Sequence, residues 1–382
     1  MLKPITYVTI TTKTTEFFFD FAHSWEFSDG WETLTSTGKI VFPKNIYVTD
    51  TATNKRTPLF GRNKKTNDIF KRGDKVKIES HYIYWDKNLN QHQTKRETIV
   101  DGYISKVNSG MPIELEIEDN MYLLKQIPLT NQSFALGTSV ESILKDALKG
   151  TGLTVNAITD TKLIYDNALL TAENETVAQF LGKLRKDAFM FAYFRGTELR
   201  VGSLVYIEAE ARKRTFIFQD NIISSDLTFN NRDDIVLSAV ASNHVQELTG
   251  KTTKDGHAKT RNARIEVLVT IKNDKMTFKE IKKGDKADPN TDGERRTFTF
   301  LEAKNINDLV KLAEVQLRKY YYTGFKGSFT TFGTPYVQFG DNVVLSNEIL
   351  TDENGLYKIK SVDYSGGVDG WRQKIKLDYR VQ

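Results

Sequence analysis

Apolar and polar residues alternate in short runs over the first third of the chain, and turn residues separate the runs. In Pro112–Asp119, PIELEIED, Ile113, Leu115 and Ile117 share one face and Glu114, Glu116 and Glu118 the other. That is the period of a half-buried strand. TYVTITTKTT, GKIVFPKNIYV with a break at Pro43, KVKIESHYIYW after the turn at Gly73-Asp74, and ETIVDGYISKV with Gly102 inside it predict further strands. Short strands at this spacing predict an all-β barrel or sandwich. The stretch EFFFDFAHSWEFS predicts one long strand with Phe17, Phe19, Phe21, His23, Trp25 and Phe27 in a row. Asp20, Ser24 and Glu26 take the other face, the pattern of a core or subunit-interface strand. The alternative is an exposed platform for sugar or base stacking.

The period changes after Pro128. GTSVESILKDALKGTG predicts a helix with a capping box at Thr138 and Glu141, an apolar stripe of Val140, Ile143, Leu144, Ala147 and Leu148, and Gly150 at its end. NETVAQFLGKLRKDA predicts a second, capped by Asn174. Two strands follow around Arg195-Gly196, giving a small α+β module. RTFIFQDNI, DIVLSAVASNHV and ARIEVLVTIKND return to strand character. The polar stretches from Gln246 to Ala263 and from Lys282 to Arg296 are expected as loops. A third helix carries Ile306, Leu309, Val310, Ala313 and Leu317 on one face, with Gly324 as its stop, and short strands fill the remainder.

The first and last β regions echo each other. Gly73-Asp74-Lys75-Val76 precedes a strand, a loop and Gly102-Tyr103-Ile104; Gly340-Asp341-Asn342-Val343 precedes a strand, a loop and Gly355-Leu356-Tyr357-Lys358-Ile359. An alternating strand follows each, IELEIED and QKIKLDY. Gly-Asp turns before strands are common, so the spacing alone leaves both chance and a duplicated barrel open.

Composition changes this picture little. The 382 residues suffice for two or three domains. Cysteine is absent, which removes disulfides, thiolate metal sites and cysteine nucleophiles. No apolar run is long enough to cross a membrane, and the N-terminus lacks a signal-peptide pattern, so cytoplasmic synthesis is expected. The net charge is +5, and the residues from Gln246 to Arg296 hold 13 Lys and Arg against 9 Asp and Glu. Both signs are interspersed there, which is a solvated surface and not a nucleic-acid stripe.

Catalytic patterns are missing as well. The five histidines include no pair at zinc-motif spacing; His23 is expected to be packed in the aromatic row and His257 solvated. There is no G-x-S-x-G elbow and no phosphate-cradling loop. The row of Glu114, Glu116 and Glu118 is expected to face solvent or pair with lysine across strands. Arg72-Gly73-Asp74 spells an adhesion tripeptide, but its setting before KVKIE is that of a turn.

One ordered combination is more specific than its parts. SWEFSDGWETLTSTGKIVFPKN, RGDKVKIESHYIYW, VDGYISKV, MPIELEIEDNMYLLKQ and SVESILKDALKGTGL follow in that order. The string resembles the tail hub family of Mu-like and T4-like phages, related to the late control protein D group. Glu118-Asp119-Asn120-Met121-Tyr122-Leu123-Leu124-Lys125 is similar to the segment that ends the family's first barrel. The helix pair with FAYFRGTELRVGSL resembles its inserted module, and FGDNVVLSNEILTDENGLYKIKSVDYSGGVDGWRQKIKLDY its second barrel.

The resemblance implies an α+β, mainly β fold: two similar tube-type antiparallel β-barrels with a small inserted α+β module. The expected domains are 1–128 for the first barrel, 129–205 with about 246–322 for the module, and 206–245 with 323–382 for the second barrel. It implies a virion tail baseplate protein assembled in the bacterial cytoplasm. It implies a homotrimer whose six barrels match a sixfold tail tube and dock a threefold spike. Partners would be the tail tube protein, a separate spike protein, since the sequence stops at Gln382, and other baseplate proteins, with DNA only as passing cargo. No enzyme activity, cofactor or metal is expected. Structural residues of core or interface would be Phe17, Phe19, Phe21, Trp25, Phe27 and Trp31. The turns contribute Gly73, Asp74, Gly340 and Asp341, and the strands between them Gly102, Tyr103, Glu118 and Asp119. A tail-tip protein of a non-contractile phage is the alternative, and a cell-wall hydrolase or glycan-binding protein a third reading.

Overall fold

A computed structural model describes residues 2–43, 45–49, 56–59, 66–108, 110–129, 132–134, 138–158, 170–172, 175–188, 190–202, 211–252, 258–282, 293–300 and 303–381. The chain divides into two compact units. The first comprises Met1–Leu124, Glu208–Leu227 and Gly327–Leu377, the second Lys125–Ile207, Thr228–Lys326 and Asp378–Gln382. Both expected barrel segments therefore contribute to one unit, and residues 228–245, expected in the second barrel, belong with the module.

The chain opens with β1 (Leu2–Thr11), β2 (Glu16–Phe19), β3 (Ser24–Gly30), β4 (Thr37–Phe42), β5 (Tyr47–Thr49), β6 (Arg56–Pro58) and the single turn α1 (Thr66–Ile69). β7 (Lys75–Trp85), β8 (Gln91–Gln93), β9 (Glu97–Asn108), β10 (Ile113–Glu118) and α2 (Met121–Leu124) follow. The second unit takes β11 (Gln132–Phe134), α3 (Val140–Ala147), β12 (Thr154–Ala157), β13 (Leu170–Ala172), α4 (Val177–Ala188), β14 (Phe191–Arg195) and β15 (Glu198–Gly202). β16 (Lys213–Ile217) and β17 (Ile222–Ser225) return to the first unit. The second resumes with β18 (Thr228–Asn230), β19 (Val236–Thr252), β20 (Ala258–Lys272), β21 (Lys275–Glu280), β22 (Glu294–Thr299), α5 (Ile306–Arg318) and β23 (Gly324–Lys326). β24 (Ser328–Phe332), β25 (Asn342–Ser346), β26 (Gly355–Gly367) and β27 (Arg372–Arg380) complete the order.

The fold is mainly β, as the alternation predicts. In the first unit 16 strands form a single sheet in the order β17-β24-β27-β26-β3-β4-β10-β9-β7-β1-β2-β5-β6, with β16, β25 and β8 attached beside it. β10 shows why the pattern makes a strand: Ile113, Leu115 and Ile117 are buried, and the glutamates between them are not. The expected closed barrels do not form among the described residues. The edge of β3 that could close the first half is taken by β26 of the second, in the register Phe27↔Tyr364 and Glu26↔Ser365. Its backbone groups are satisfied there, so the two halves join into one open sheet.

The aromatic stretch is not one strand. β2 pairs with β1 and β5, β3 pairs with β4 and β26, and the chain breaks between them at residues 20–23. Phe19, Trp25 and Phe27 are buried, and Ala22 takes the inward position in the break. The two strands serve different neighbours, so one continuous pleat cannot satisfy both.

In the second unit α3 buries Val140, Ile143, Leu144 and, just beyond it, Leu148. Its cap is Ser139, whose hydroxyl accepts from the Ser142 N–H at 3.1 Å, one residue later than the expected box. Asn174 lies outside the described residues. The capping box of α4 is Thr176 with Gln179, each side chain bonding the other's N–H, at 3.3 and 2.8 Å. α5 packs Leu309, Val310, Ala313 and Leu317 on the Leu237, Ala239 and Val269 face of the β21-β20-β19-β22 sheet. It stops at Arg318 with Lys319 as its cap, before the expected Gly324. The segment from Gln246 to Ala263, expected as a loop, is largely the outer half of the β19–β20 hairpin, where Val245 pairs with Ala263 and Leu248 with Thr260. Thr-rich polar strands supply no alternation against a core, so the sequence pattern misses them.

Candidate assembly surface

The two Gly-Asp turns are built alike, bond for bond. The Gly73 N–H donates to Ile104 O at 2.8 Å and the Ile104 N–H to Asp74 O at 2.9 Å; the Gly340 N–H donates to Ile359 O at 2.8 Å and the Ile359 N–H to Asp341 O at 3.0 Å. Each aspartate Oδ2 accepts the N–H three residues before it, Lys71 at 2.7 Å and Gln338 at 2.9 Å. Gly73 has φ +92 and Gly340 φ +80, a region that costs a side chain but not glycine. Arg72-Gly73-Asp74 is thus no displayed adhesion motif, because Asp74 is buried and its carboxylate is engaged. Burial pushes the Asp74 carboxyl above its usual range, against the pull of its bond to Lys71.

The correspondence sets a register. Val76 pairs with Gly102, and Val343 with Tyr357, so Gly102 matches Tyr357 and Ile104 matches Ile359. The sequence echo aligns Gly102 with Gly355, two residues out. The structure shows why each residue suits its half. A Cβ on Gly102 would stand 2.0 Å from Glu118 O, whereas Tyr357 is a fully buried ring. A further pair of glycines extends the match. A Cβ on Gly38 would meet Glu26 O at 2.1 Å and Phe27 Cα at 2.9 Å, and one on Gly327 would meet Asp226 O at 2.4 Å and Leu227 Cα at 3.3 Å.

Gly73, Asp74, Gly102, Tyr103, Glu118 and Asp119 converge on one corner of the first half. Tyr103 stacks on Tyr122 at 5.4 Å between ring centroids, and a Cβ on Gly73 would lie 3.2 Å from the Tyr122 hydroxyl. Asp119 accepts the Ser36 N–H at 3.3 Å and the Met121 N–H at 3.0 Å, which starts α2. Burial dominates these bonds and, with Asp29 and Glu118 nearby, holds its carboxyl up at about 7. Gly340 and Asp341 stand in the other turn, where Arg212 Nη2 closes on the Asp341 carboxylate at 2.8 Å.

The aromatic residues divide. Phe19 meets Phe42 at 4.9 Å, and the Trp25 Nε1–H donates to Thr6 Oγ1 at 3.2 Å. Phe17 is half-buried against Phe70, and Trp31 is half-buried beneath the Lys360 ammonium. Phe21 is 44% exposed, and with Tyr7, Phe18 and Val368 it lines an open hollow of about 920 Å³. His23 is exposed; among the described residues His81 is packed, stacked on Tyr7 and held below its usual pKa by burial. His257 lies outside the described residues.

Glu116 accepts from Lys106 at 2.9 Å and from Asn108 at 3.1 Å, the cross-strand pairing that the alternation predicts. Among the described residues no group of three or more His, Asp or Glu could hold a metal ion. Also among them, no helix is long and apolar enough to cross a membrane.

No protein-family model matches the chain, and no curated protein matches its sequence. Solved structures show the fold: it is similar to that of tail proteins, one of them from a prophage. A tail protein from Neisseria meningitidis MC58 matches with a TM-score of 0.55 at 13% identity, over 99% of this chain and 97% of that one. The 43 kDa tail protein of prophage MuSo2 from Shewanella oneidensis matches at 0.50 with 11% identity, over 98% of both chains. The likeness at this identity is one of fold, and it runs the length of both partners in each case.

Proposed function

We propose that the chain is a structural hub of a phage or prophage-derived tail. In this reading it assembles as a homotrimeric ring that joins a sixfold tail tube to a threefold spike, and performs no catalysis. The observation that carries the reading is the doubled half: two Gly-Asp meanders laid side by side in one open sheet. Three chains so built present six similar halves around an axis, the geometry that adapts threefold to sixfold symmetry. The halves become tube-type barrels in this reading when neighbouring chains cover their open edges. The full-length likeness of fold to tail proteins supports the same conclusion. Its place would be the virion baseplate, with the tail tube protein, a spike protein and other baseplate proteins as neighbours. The corner around Asp119 and the buried Phe19, Trp25 and Phe27 serve in this reading as framework for the ring.

Light scattering across a concentration series tests the stoichiometry, alone and with a candidate threefold spike protein. A trimer is expected. A stable dimer or a monomer under all conditions contradicts the proposal.

A further inference from the structure

We propose that copies of this chain join head to tail by strand addition, with Thr228–Asn230 (β18) of one copy pairing antiparallel with residues 106–108 of β9 in the next. The inference rests on the hub reading and names the joint that reading leaves open.

The acceptor is visible by comparing the halves. In the second half β27 takes one edge of β26, while β25 and β3 share the other: β25 pairs with residues 355–358 and β3 with 361–367. In the first half β10 takes one edge of β9, and β7 the other only as far as Tyr103. Beyond Ile104, among the described residues, no strand occupies the place that β3 fills in the second half. An open groove of about 470 Å³ runs there instead, beside Ser105, Lys106 and Val107 and under Phe70 and Arg72. Val362, covered by β3, is fully buried; its counterpart Val107 is only half-buried.

The donor follows from the same correspondence. The glycine pair matches Glu26 and Phe27 with Asp226 and Leu227. The next positions agree, since Ser28 pairs with Thr37 and Thr228 with Lys326. β18 is therefore the counterpart of residues 28–30, the part of β3 that makes the internal joint. Among the described residues β18 pairs only with β23, so its outer edge is bare, and Phe229 on it is 37% exposed. Bare edges invite pairing with another chain.

Transferring the internal register fixes the contact. Ser28↔Asp363, Asp29↔Val362 and Gly30↔Ser361 become Thr228↔Asn108, Phe229↔Val107 and Asn230↔Lys106. The exposed Phe229 then lies across from the under-covered Val107, an apolar cross-strand pair. The chain's own β3 is already engaged on β26, so the occupant is a second copy. Each copy gives one edge and accepts one, a heterologous contact that closes into a ring when the rotation permits.

The absence of cysteine makes the test direct. The double variant Asn108→Cys/Thr228→Cys is oxidised and run on a non-reducing gel beside light scattering of the unoxidised sample. Asn108→Cys/Phe229→Cys, one residue out of register, is the control, and Lys106→Cys/Asn230→Cys is a second in-register pair should the first fold poorly. The expected result is a covalent ladder ending at three chains for the in-register pairs, and at least tenfold less cross-linked product for the control. A trimer by scattering without the ladder, or a disulfide within one chain, overturns the joint and leaves the hub reading standing. A monomer under all conditions, with a candidate spike protein as well as alone, overturns both.

Discussion

Asp119 is a carboxyl whose environment favours its proton. Burial, with Asp29 and Glu118 close by, outweighs the two N–H groups it accepts and raises it from 3.8 to about 7. The folded protein therefore keeps a proton that the unfolded chain releases. The stability linked to that proton is fully present below about pH 3.8 and is lost as the pH rises through about 7. Asp119→Asn keeps one acceptor and removes the titration. Its melting temperature relative to the parent is expected to rise steadily between pH 4 and 7; a constant difference would refute the assignment. Gly102 gives a second prediction at this scale. With Glu118 O only 2.0 Å from an added Cβ, Gly102→Ala forces β9 and the end of β10 apart, at a cost of about 1–3 kcal/mol by urea denaturation. An unchanged midpoint would show that the close approach is not needed.

At the level of elements the sequence is readable where burial is one-sided. The alternation in PIELEIED and the stripes of α3 and α5 appear in the fold as buried faces, because one side of each element meets a core and the other does not. The reading fails where neighbours rather than local pattern decide. Phe17 to Phe27 alternate well enough for one strand, yet the chain breaks between β2 and β3 because the two pair with different partners. The outer β19–β20 hairpin is polar, so pairing alone makes it strand. The cap of α3 moved by one residue, since Thr138 and Ser139 are both competent and tertiary position chooses between them. At α4 the Thr176–Gln179 box is predicted to contribute about 1 kcal/mol. Thr176→Ala should lower the unfolding midpoint accordingly, and a loss no larger than that of an exposed mid-helix control would argue that the box is idle.

For the whole molecule, the duplicated turn was legible as an echo of Gly73-Asp74 and Gly340-Asp341, but not as a repeat. Hydrogen bonds to Ile104 and Ile359 establish the match and move its second part by two residues. The edges left bare by that repeat were not legible at all. An unpaired strand edge carries no composition of its own, and Lys106 or Thr228 would look the same in any surface strand. In the proposed hub each chain supplies two similar halves to a ring of three. An averaged electron-microscope image down the assembly axis tests it most directly. The expected image is a closed ring of six similar lobes around a channel, with threefold symmetry at the level of chains. A ring with any other number of lobes, or particles without a ring, would contradict it.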